Sequence, residues 1–191
     1  MTDSEAVVLL KDAIEQVKTA VSRIALIHLG FSKTLVGELG EKKGKALIIK
    51  SMMEYGKLVG KQTRKGKQDL PHYGIHDKYL YDDHEFVDTR KCPVPPGKDF
   101  DFTRYRVYGC VLAKVFREFD EEELGRLYCY VDSAKSMATD PSHKLIHTAC
   151  EPLGDDCCAF DMVSTSEKER EDFENKTENW KAVDPILDKE S

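Results

Sequence analysis

Two amphipathic segments in the first third of the chain constrain the fold most strongly. From Val7 to His28, apolar residues recur at alternating steps of three and four, which places them on one stripe of an α-helix. Ser4 is a suitable N-cap for this helix, and Gly30 is expected to end or bend it. A second amphipathic helix is predicted over residues 45–62. These two helices should pack against each other or against a sheet.

The second half of the chain alternates shorter elements. A strand entering a helix is predicted for RYRVYGC and VLAKVFREF, whereas residues 124–138 suit either a strand or a helix. HKLIHTACE and CCAFDMVS indicate a strand pair joined by the turn PLGDD. The sequence therefore predicts an α+β fold, with N-terminal helices packed on an antiparallel sheet formed by the C-terminal half. We expect a single domain over residues 1–165, followed by a polar C-terminal helix or tail over residues 166–191.

Between these halves, residues 69–101 are rich in Pro, Gly, Asp and His and are predicted to form a long loop region. Long loops inside compact domains often serve as lids or binding loops. The polar group within residues 72–84 favours a solvated loop rim; its members are His72, His76, Asp77, Asp82, Asp83 and His84. If the loop closes over a pocket, His84 can act as an acid–base group instead.

Composition excludes several classes of function. The net charge of -6 opposes non-specific nucleic-acid binding, which needs a basic surface. No apolar run is long enough to span a membrane, and the N-terminal residues lack the features of a signal peptide, so a cytoplasmic protein is expected. A phosphate-binding glycine loop, a nucleophile elbow and the zinc-protease helix motif are also missing from the sequence.

The sequence has six cysteines, at Cys92, Cys110, Cys129, Cys150, Cys157 and Cys158. In a reducing compartment they are expected to be thiols or metal ligands rather than disulfides. The turn PLGDD should bring Cys150 and Cys158 together, while strand alternation sends Cys157 to the other face. His147 lies three residues before Cys150, so a bulge is needed for both to face one site.

With Cys129 added, these residues form a set that suits tetrahedral zinc: Cys129, His147, Cys150 and Cys158. Buried or catalytic thiols are the alternative interpretation. Cys129 also lies three residues before Asp132, so the thiol and the carboxylate share a face if this segment is a helix. A thiol acts as a nucleophile only when a cation, a histidine or a helix start lowers its pKa, and His143 or His147 can approach only in space. A core cysteine beside an exposed aspartate fits the same pattern.

The series VYGCVLAKVFREFDEEELGRLYCYVDSA, followed by LIHTACEPLGDDCCAF, resembles the L-2-amino-thiazoline-4-carboxylic acid hydrolase family. The matching positions are Cys110, Glu123, Leu124, Cys129, Asp132, Gly154, Asp155, Cys158 and Phe160. This resemblance implies hydrolysis of a C–N or C–S bond in a small cyclic amidine-like ring. It implies Cys129 as nucleophile or ligand, Asp132 as its acid–base partner, and Cys158 as a further catalytic group.

Two positions depart from the family pattern: His147 stands where an arginine is expected, and Cys150 where a threonine is expected. The spacing of His147, Cys150 and Cys158 is also similar to the zinc-binding end of vinyl-reductase-type small-molecule-binding domains. That second resemblance implies a zinc-stabilised ligand-binding module, a sensor or carrier without catalysis. Of the two functions we favour the hydrolase, acting on a small-molecule substrate. We expect neither a nucleic-acid nor a membrane partner. The first helix is compatible with a homodimer.

Overall fold

The computed structural model describes residues 9–64 and 106–188. In chain order its helices are α1 (Leu10–Leu39), α2 (Glu41–Arg64), α3 (Val111–Glu118), α4 (Glu122–Gly125), α5 (Tyr130–Thr139) and α6 (Glu167–Asn175). Its strands are β1 (Arg106–Val107), β2 (His143–Ala149) and β3 (Cys158–Ser164). Short 3-10 helices cover Arg126–Cys129, Glu151–Leu153 and Glu178–Val183. This arrangement confirms the predicted α+β fold.

The three strands form an antiparallel sheet in the order β1-β3-β2, with β3 in the middle. The strand pair predicted on either side of PLGDD is therefore confirmed. Phe160 pairs with His147, and the register shifts between His147 and Ala149. This irregularity is the bulge that the three-residue spacing from His147 to Cys150 requires.

The first helix continues through Gly30 to Leu39, so the prediction that it can end at Gly30 is wrong. One glycine costs a helix only about 1 kcal/mol, which the packed turns on both sides can offset. The break comes at Gly40, whose φ of 75° suits glycine and whose N–H donates to the carbonyl oxygen of Val36 at 2.9 Å. Helix α2 then starts at Glu41, four residues earlier than predicted.

Helix α2 lies unusually close to α5, the helix that carries Asp132. A Cβ built at Gly56 would lie 2.4 Å from the Cβ of Ala134. One built at Gly60 would lie 2.6 Å from the Cβ of Ala138. Because real side-chain atoms do not approach this closely, the contact requires glycine at both positions. Residues 124–138, which suited either a strand or a helix, are helical in this setting.

On its other side α5 packs on the sheet. The hydroxyl of Ser133 donates to the carbonyl oxygen of Leu145 at 2.6 Å, and the N–H of Leu145 donates to the hydroxyl of Ser136 at 2.7 Å. These two bonds join α5 directly to β2. Helix α5 thus forms a middle layer between α2 and the sheet.

The main core includes residues from the C-terminal segment. Trp180 is almost fully buried, with its ring 5.8 Å from that of Tyr130 and 5.6 Å from that of Phe173. Val183 and Leu187 belong to the same cluster. The domain boundary at residue 165 stays a prediction. The predicted cap Ser4 and the loop over residues 69–101, with its histidines, lie outside the described residues.

Candidate active site

Three of the predicted site residues converge at the end of β2. The sulfur atoms of Cys129 and Cys150 and a ring nitrogen of His147 all lie within 4.8 Å of one another. Cys129 ends a 3-10 helix, His147 lies on β2, and Cys150 follows that strand directly. The bulge in β2 and the helical turn before α5 together bring these side chains to one place.

Cys158, the fourth residue of the predicted set, lies beside this trio. Its thiol lies close enough to that of Cys150 for each to affect the pKa of the other, and Cys150 and Cys129 are related in the same way. The backbone N–H of Glu151 donates to the Cys158 sulfur at 3.3 Å. The turn therefore brings Cys150 and Cys158 together as predicted, while Cys157 is only half-buried.

Asp184 holds the imidazole of His147. Its Oδ2 lies 2.8 Å from His147 Nδ1 and also accepts the backbone N–H of His147 at 2.9 Å. Asp184 is fully buried and His147 nearly so. Because the carboxylate accepts, the proton of a neutral His147 lies on Nδ1 and leaves the lone pair of Nε2 free. The Phe160 ring, 4.8 Å from the imidazole, packs beside it.

Asp132 lies one helical turn after Cys129, as the helical interpretation of this segment required. Its Oδ2 is 3.9 Å from His147 Nε2, and its Oδ1 accepts from Lys135 at 3.0 Å. Burial favours a higher pKa, but the charges of Lys135 and His147 outweigh it, so the pKa of Asp132 is lowered. The site therefore holds a carboxylate at neutral pH, with its side chain 25% exposed.

The thiols of the cluster are protonated at neutral pH. A hydrogen bond from Cys150 favours the Cys129 thiolate, but burial and neighbouring ionisable groups outweigh it and raise the pKa of Cys129. The hydrogen bond to Cys129 raises the pKa of Cys150, and the bond to Cys150, with burial, raises that of Cys158. Burial raises the pKa of Cys110 to about 12. A base or a metal ion is needed to form a thiolate here.

Sequence reasoning missed two acidic residues of this site, Asp184 and Glu151, and assigned no role to a third, the motif residue Asp155. Asp184 is separated from His147 by 37 residues and lies in a segment expected to be a polar helix or tail. Glu151 accepts the N–H of Cys110 at 2.9 Å, and Asp155 accepts that of Cys150 at 2.7 Å. The one sequence signal for Asp184 is the apolar pair Ile186–Leu187 beside it, which marks this part of the tail as buried.

His143, the other histidine considered near Cys129, is exposed at the start of β2. Its Nδ1 lies 3.1 Å from Asp140 Oδ2 and 2.8 Å from the hydroxyl of Ser142. Those partners belong to the turn before the strand. Of these two histidines, His147 is the one that reaches the thiols.

The sequence model of the L-2-amino-thiazoline-4-carboxylic acid hydrolase family matches residues 20–162, which is most of the chain. The protein therefore belongs to this family, and the resemblance seen in its motifs is confirmed. Neither the curated proteins nor the solved structures contain a significant match. Among the helices within residues 9–64 and 106–188, none has the length and apolar character needed to cross a membrane.

Proposed function

We propose that the protein is a hydrolase that opens the ring of a small cyclic amidine, with Cys129 as the nucleophile. The observation that carries this proposal is the arrangement of Cys129, His147 and Asp184. A ring nitrogen of His147 lies within 4.8 Å of the thiol, and Nδ1 of the same ring is held by the buried carboxylate of Asp184. Nucleophile, base and orienting carboxylate form the arrangement used by thiol and serine hydrolases on unrelated folds.

In the proposed reaction, His147 takes the proton of Cys129 as the sulfur adds to the amidine carbon. The ring C–S or C–N bond then breaks, and the leaving atom takes the proton from His147. Water next attacks the same carbon, gives a proton to His147 and displaces Cys129, which recovers its proton. One water molecule is added overall. Asp132, 3.9 Å from His147 Nε2, stabilises the imidazolium in each half of the reaction.

Zinc binding is the second candidate, supported by the mutual distances in the Cys129–His147–Cys150 group. Cys158, which lies beside this group, would supply the fourth ligand expected at a closed structural site. A carboxylate bonded to a ligating histidine, as Asp184 is to His147, commonly supports such sites. Zinc bound in this way would hold β2, β3 and α5 together. The protein would then be a ligand-binding domain in which Cys129 is a ligand and not a nucleophile.

The test for hydrolysis measures ring opening of L-2-amino-thiazoline-4-carboxylate and of 2-amino-2-thiazoline, through the thiol released by C–S cleavage and through product mass. Replacing Cys129 with Ala is expected to lower kcat/KM by at least about 10³-fold, because the nucleophile is lost. Cys157→Ser, at a half-buried thiol outside the trio, should keep wild-type turnover. Wild-type hydrolysis by the Cys129→Ala variant would contradict the proposal.

Metal content, measured by elemental mass spectrometry of untagged protein, distinguishes the hydrolase from the zinc-binding domain. The hydrolase predicts a metal-free protein whose activity survives chelation. The zinc domain predicts one zinc per chain, lost in a Cys150→Ser variant. Thiol titration of the native protein gives a second measure, since zinc protects its cysteine ligands.

A further inference from the structure

A cavity of about 590 Å³ lies between the first half of α2, the 3-10 helix that precedes α5, and the C-terminal segment. None of the residues assigned to the candidate active site lines it. The buried side chains of Leu127 and Leu187 form part of its apolar lining. Its volume is typical of small-molecule sites. The protein therefore has room for a small organic molecule at a place that the proposed hydrolysis does not use.

Arg126 lines this cavity although it is buried, with only 5% of its surface exposed. Its Nη1 donates to the carbonyl oxygen of Leu187 at 2.6 Å, whereas its Nε has no hydrogen-bond partner among residues 9–64 and 106–188. No carboxylate in that part of the chain forms an ion pair with it. A guanidinium is always charged, and a buried charge is unfavourable unless an opposite charge lies beside it. A negatively charged group in the cavity would supply this missing partner.

Most of the acidic side chains around the cavity are already paired with lysines. Lys45 pairs with both Glu41 and Glu123, and Lys181 pairs with Asp188 at 3.1 Å. These carboxylates are therefore engaged elsewhere and do not neutralise the buried guanidinium.

Two further lysines of the lining, Lys42 and Lys50, have neither an ion pair nor a hydrogen bond with another described residue. Glu178, the remaining acidic residue of the lining, is exposed to solvent. Arg126 and these two lysines thus leave an excess of positive charge at the cavity, in a protein whose net charge is -6. This local excess favours an anionic ligand.

We propose that the cavity is a second binding site, for a small organic anion whose carboxylate or phosphoryl oxygens bond to Arg126. The apolar part of the ligand would lie against Leu127 and Leu187. Arginine suits such oxyanions because its planar N–H groups form paired bonds with two oxygens. Lys42 and Lys50 add positive charge around the same group. The ligand would contact α2, the 3-10 helix and the C-terminal segment together, so its binding should stabilise the fold.

NMR titration of the full ¹⁵N-labelled chain with phenyl phosphate, benzoate and uncharged benzamide tests this site. At least one of the two anions is expected to bind at least about tenfold more tightly than benzamide, because charge-assisted hydrogen bonds are roughly twice as strong as neutral ones. It should shift the amide signals of Arg126 and of residues 42–50, and it should raise the Tm. Whichever anion binds more tightly identifies the ligand as a phosphate ester or a carboxylic acid.

Arg126→Gln should weaken the tighter anion by at least about tenfold and leave benzamide unchanged, because the amide keeps a donor for Leu187 but has no charge. Lys50→Gln, at a half-buried residue of α2, should fold as wild type does and weaken the anion by about threefold. Arg117→Gln, at an exposed arginine of α3 outside the cavity, is the matched control and should keep wild-type affinity. Circular dichroism checks the folding of each variant.

Equal affinities for the two anions and benzamide, or no binding of any of them, would overturn the proposal. Wild-type affinity in both Arg126→Gln and Lys50→Gln would overturn it as well. If Arg126→Gln fails to fold, Lys50→Gln decides the outcome. Signal changes confined to the residues around Cys129 would place the anion at the thiol cluster and would also contradict the assignment.

Discussion

At the scale of single residues, the pairing of His147 with Asp184 defines the chemistry of the site. Asp184 uses one oxygen for both the side chain and the backbone N–H of His147, and its other oxygen, Oδ1, is buried without a hydrogen-bond partner among the described residues. A buried carboxylate with an unused lone pair is costly unless its charge is needed. An imidazolium formed during the reaction, or a metal bound to the ring, would each be stabilised by this negative charge.

Asp184→Asn is expected to lower kcat for amidine hydrolysis by about 10²- to 10⁴-fold with a smaller change in KM, because the amide can hold His147 in the wrong tautomer. Steady-state kinetics measures the changes in kcat and in KM separately. Asp188→Asn, which removes a partner of Lys181 in the same segment, is the control and should keep wild-type kcat. If zinc is present instead, Asp184→Asn should weaken its binding by about 10- to 100-fold. Unchanged kcat and unchanged metal affinity would leave Asp184 without a role in the site.

His28 gives the fold a dependence on pH. It is buried, with Nε2 2.9 Å from the carbonyl oxygen of Leu124, and burial lowers its pKa from the ordinary 6.5 despite that bond. Below pH 6.5 His28 is protonated in the unfolded chain, whereas in the folded protein it becomes protonated only at a lower pH. Stability is therefore complete above pH 6.5 and falls as the pH drops through the folded pKa.

His28→Gln should flatten this dependence, since its amide can donate to Leu124 and does not titrate. Urea denaturation at pH 8.0 and 5.5 measures the free energy of unfolding of both proteins. The loss between the two pH values should be smaller in the variant by up to about 1.4 kcal/mol per pH unit. Parallel pH profiles for wild type and variant would contradict this role for His28.

At the scale of elements, the approach of α2 to α5 sets the position of the site. The contact depends on Gly56 and Gly60, and α5, which begins directly after Cys129, carries Asp132. These glycines therefore set the distance of α5, and of its Asp132, from α2. A change in helix spacing should displace Asp132 within the site.

Gly56→Ala is expected to destabilise the protein by about 1–3 kcal/mol, because its Cβ would overlap Ala134 and force the helices apart. Gly30→Ala is a matched control in the other long helix, where a Cβ meets nothing within 4 Å. It should stabilise the fold by about 0.5–1 kcal/mol through helix propensity. Thermal and urea denaturation followed by circular dichroism measure both changes. Equal effects of the two substitutions would mean that the α2–α5 contact is not tight.

At the scale of the whole molecule, the C-terminal segment joins the core to the site. Trp180 and Val183 pack into the main core, and the next residue, Asp184, bonds to His147. Lys144 of β2 reinforces this closure by bonding to the carbonyl oxygen of Val183 at 2.9 Å and to Glu169 of α6. The packing that buries Trp180 in the core thus also positions the Asp184 carboxylate against His147.

Trp180→Ala should lower the free energy of unfolding by about 3–5 kcal/mol, because it leaves a large cavity beside Tyr130 and Phe173. It should also reduce hydrolysis, since Asp184 loses its support. Phe119→Ala, at an aromatic side chain that is 51% exposed, should change stability by less than about 1 kcal/mol. Urea denaturation followed by circular dichroism measures both. A Trp180 variant as stable as wild type would mean that the C-terminal segment contributes little to the core.

Several features were predictable because they depend on neighbours along the chain. The helical stripes followed from apolar spacing, although the stop at Gly30 was wrong because packing outweighs the propensity of one residue. The strand pair around PLGDD and its bulge followed from alternation and from the spacing of His147 and Cys150. The segment around Cys129 was ambiguous because its tyrosines and valine suit a strand. In the structure it is helical and packs between α2 and the sheet.

The sequence by itself determined the α+β class, the family, and the inventory of thiols, imidazole and carboxylate available for chemistry. These properties are local, since periodicity and motif spacing extend over only about a few tens of residues. Only the tertiary structure decided that His147 meets Cys129 and that Asp184 holds it from 37 residues away. Which distant residues meet depends on how the helices and strands pack. The sequence of one segment does not indicate which distant segment will pack against it.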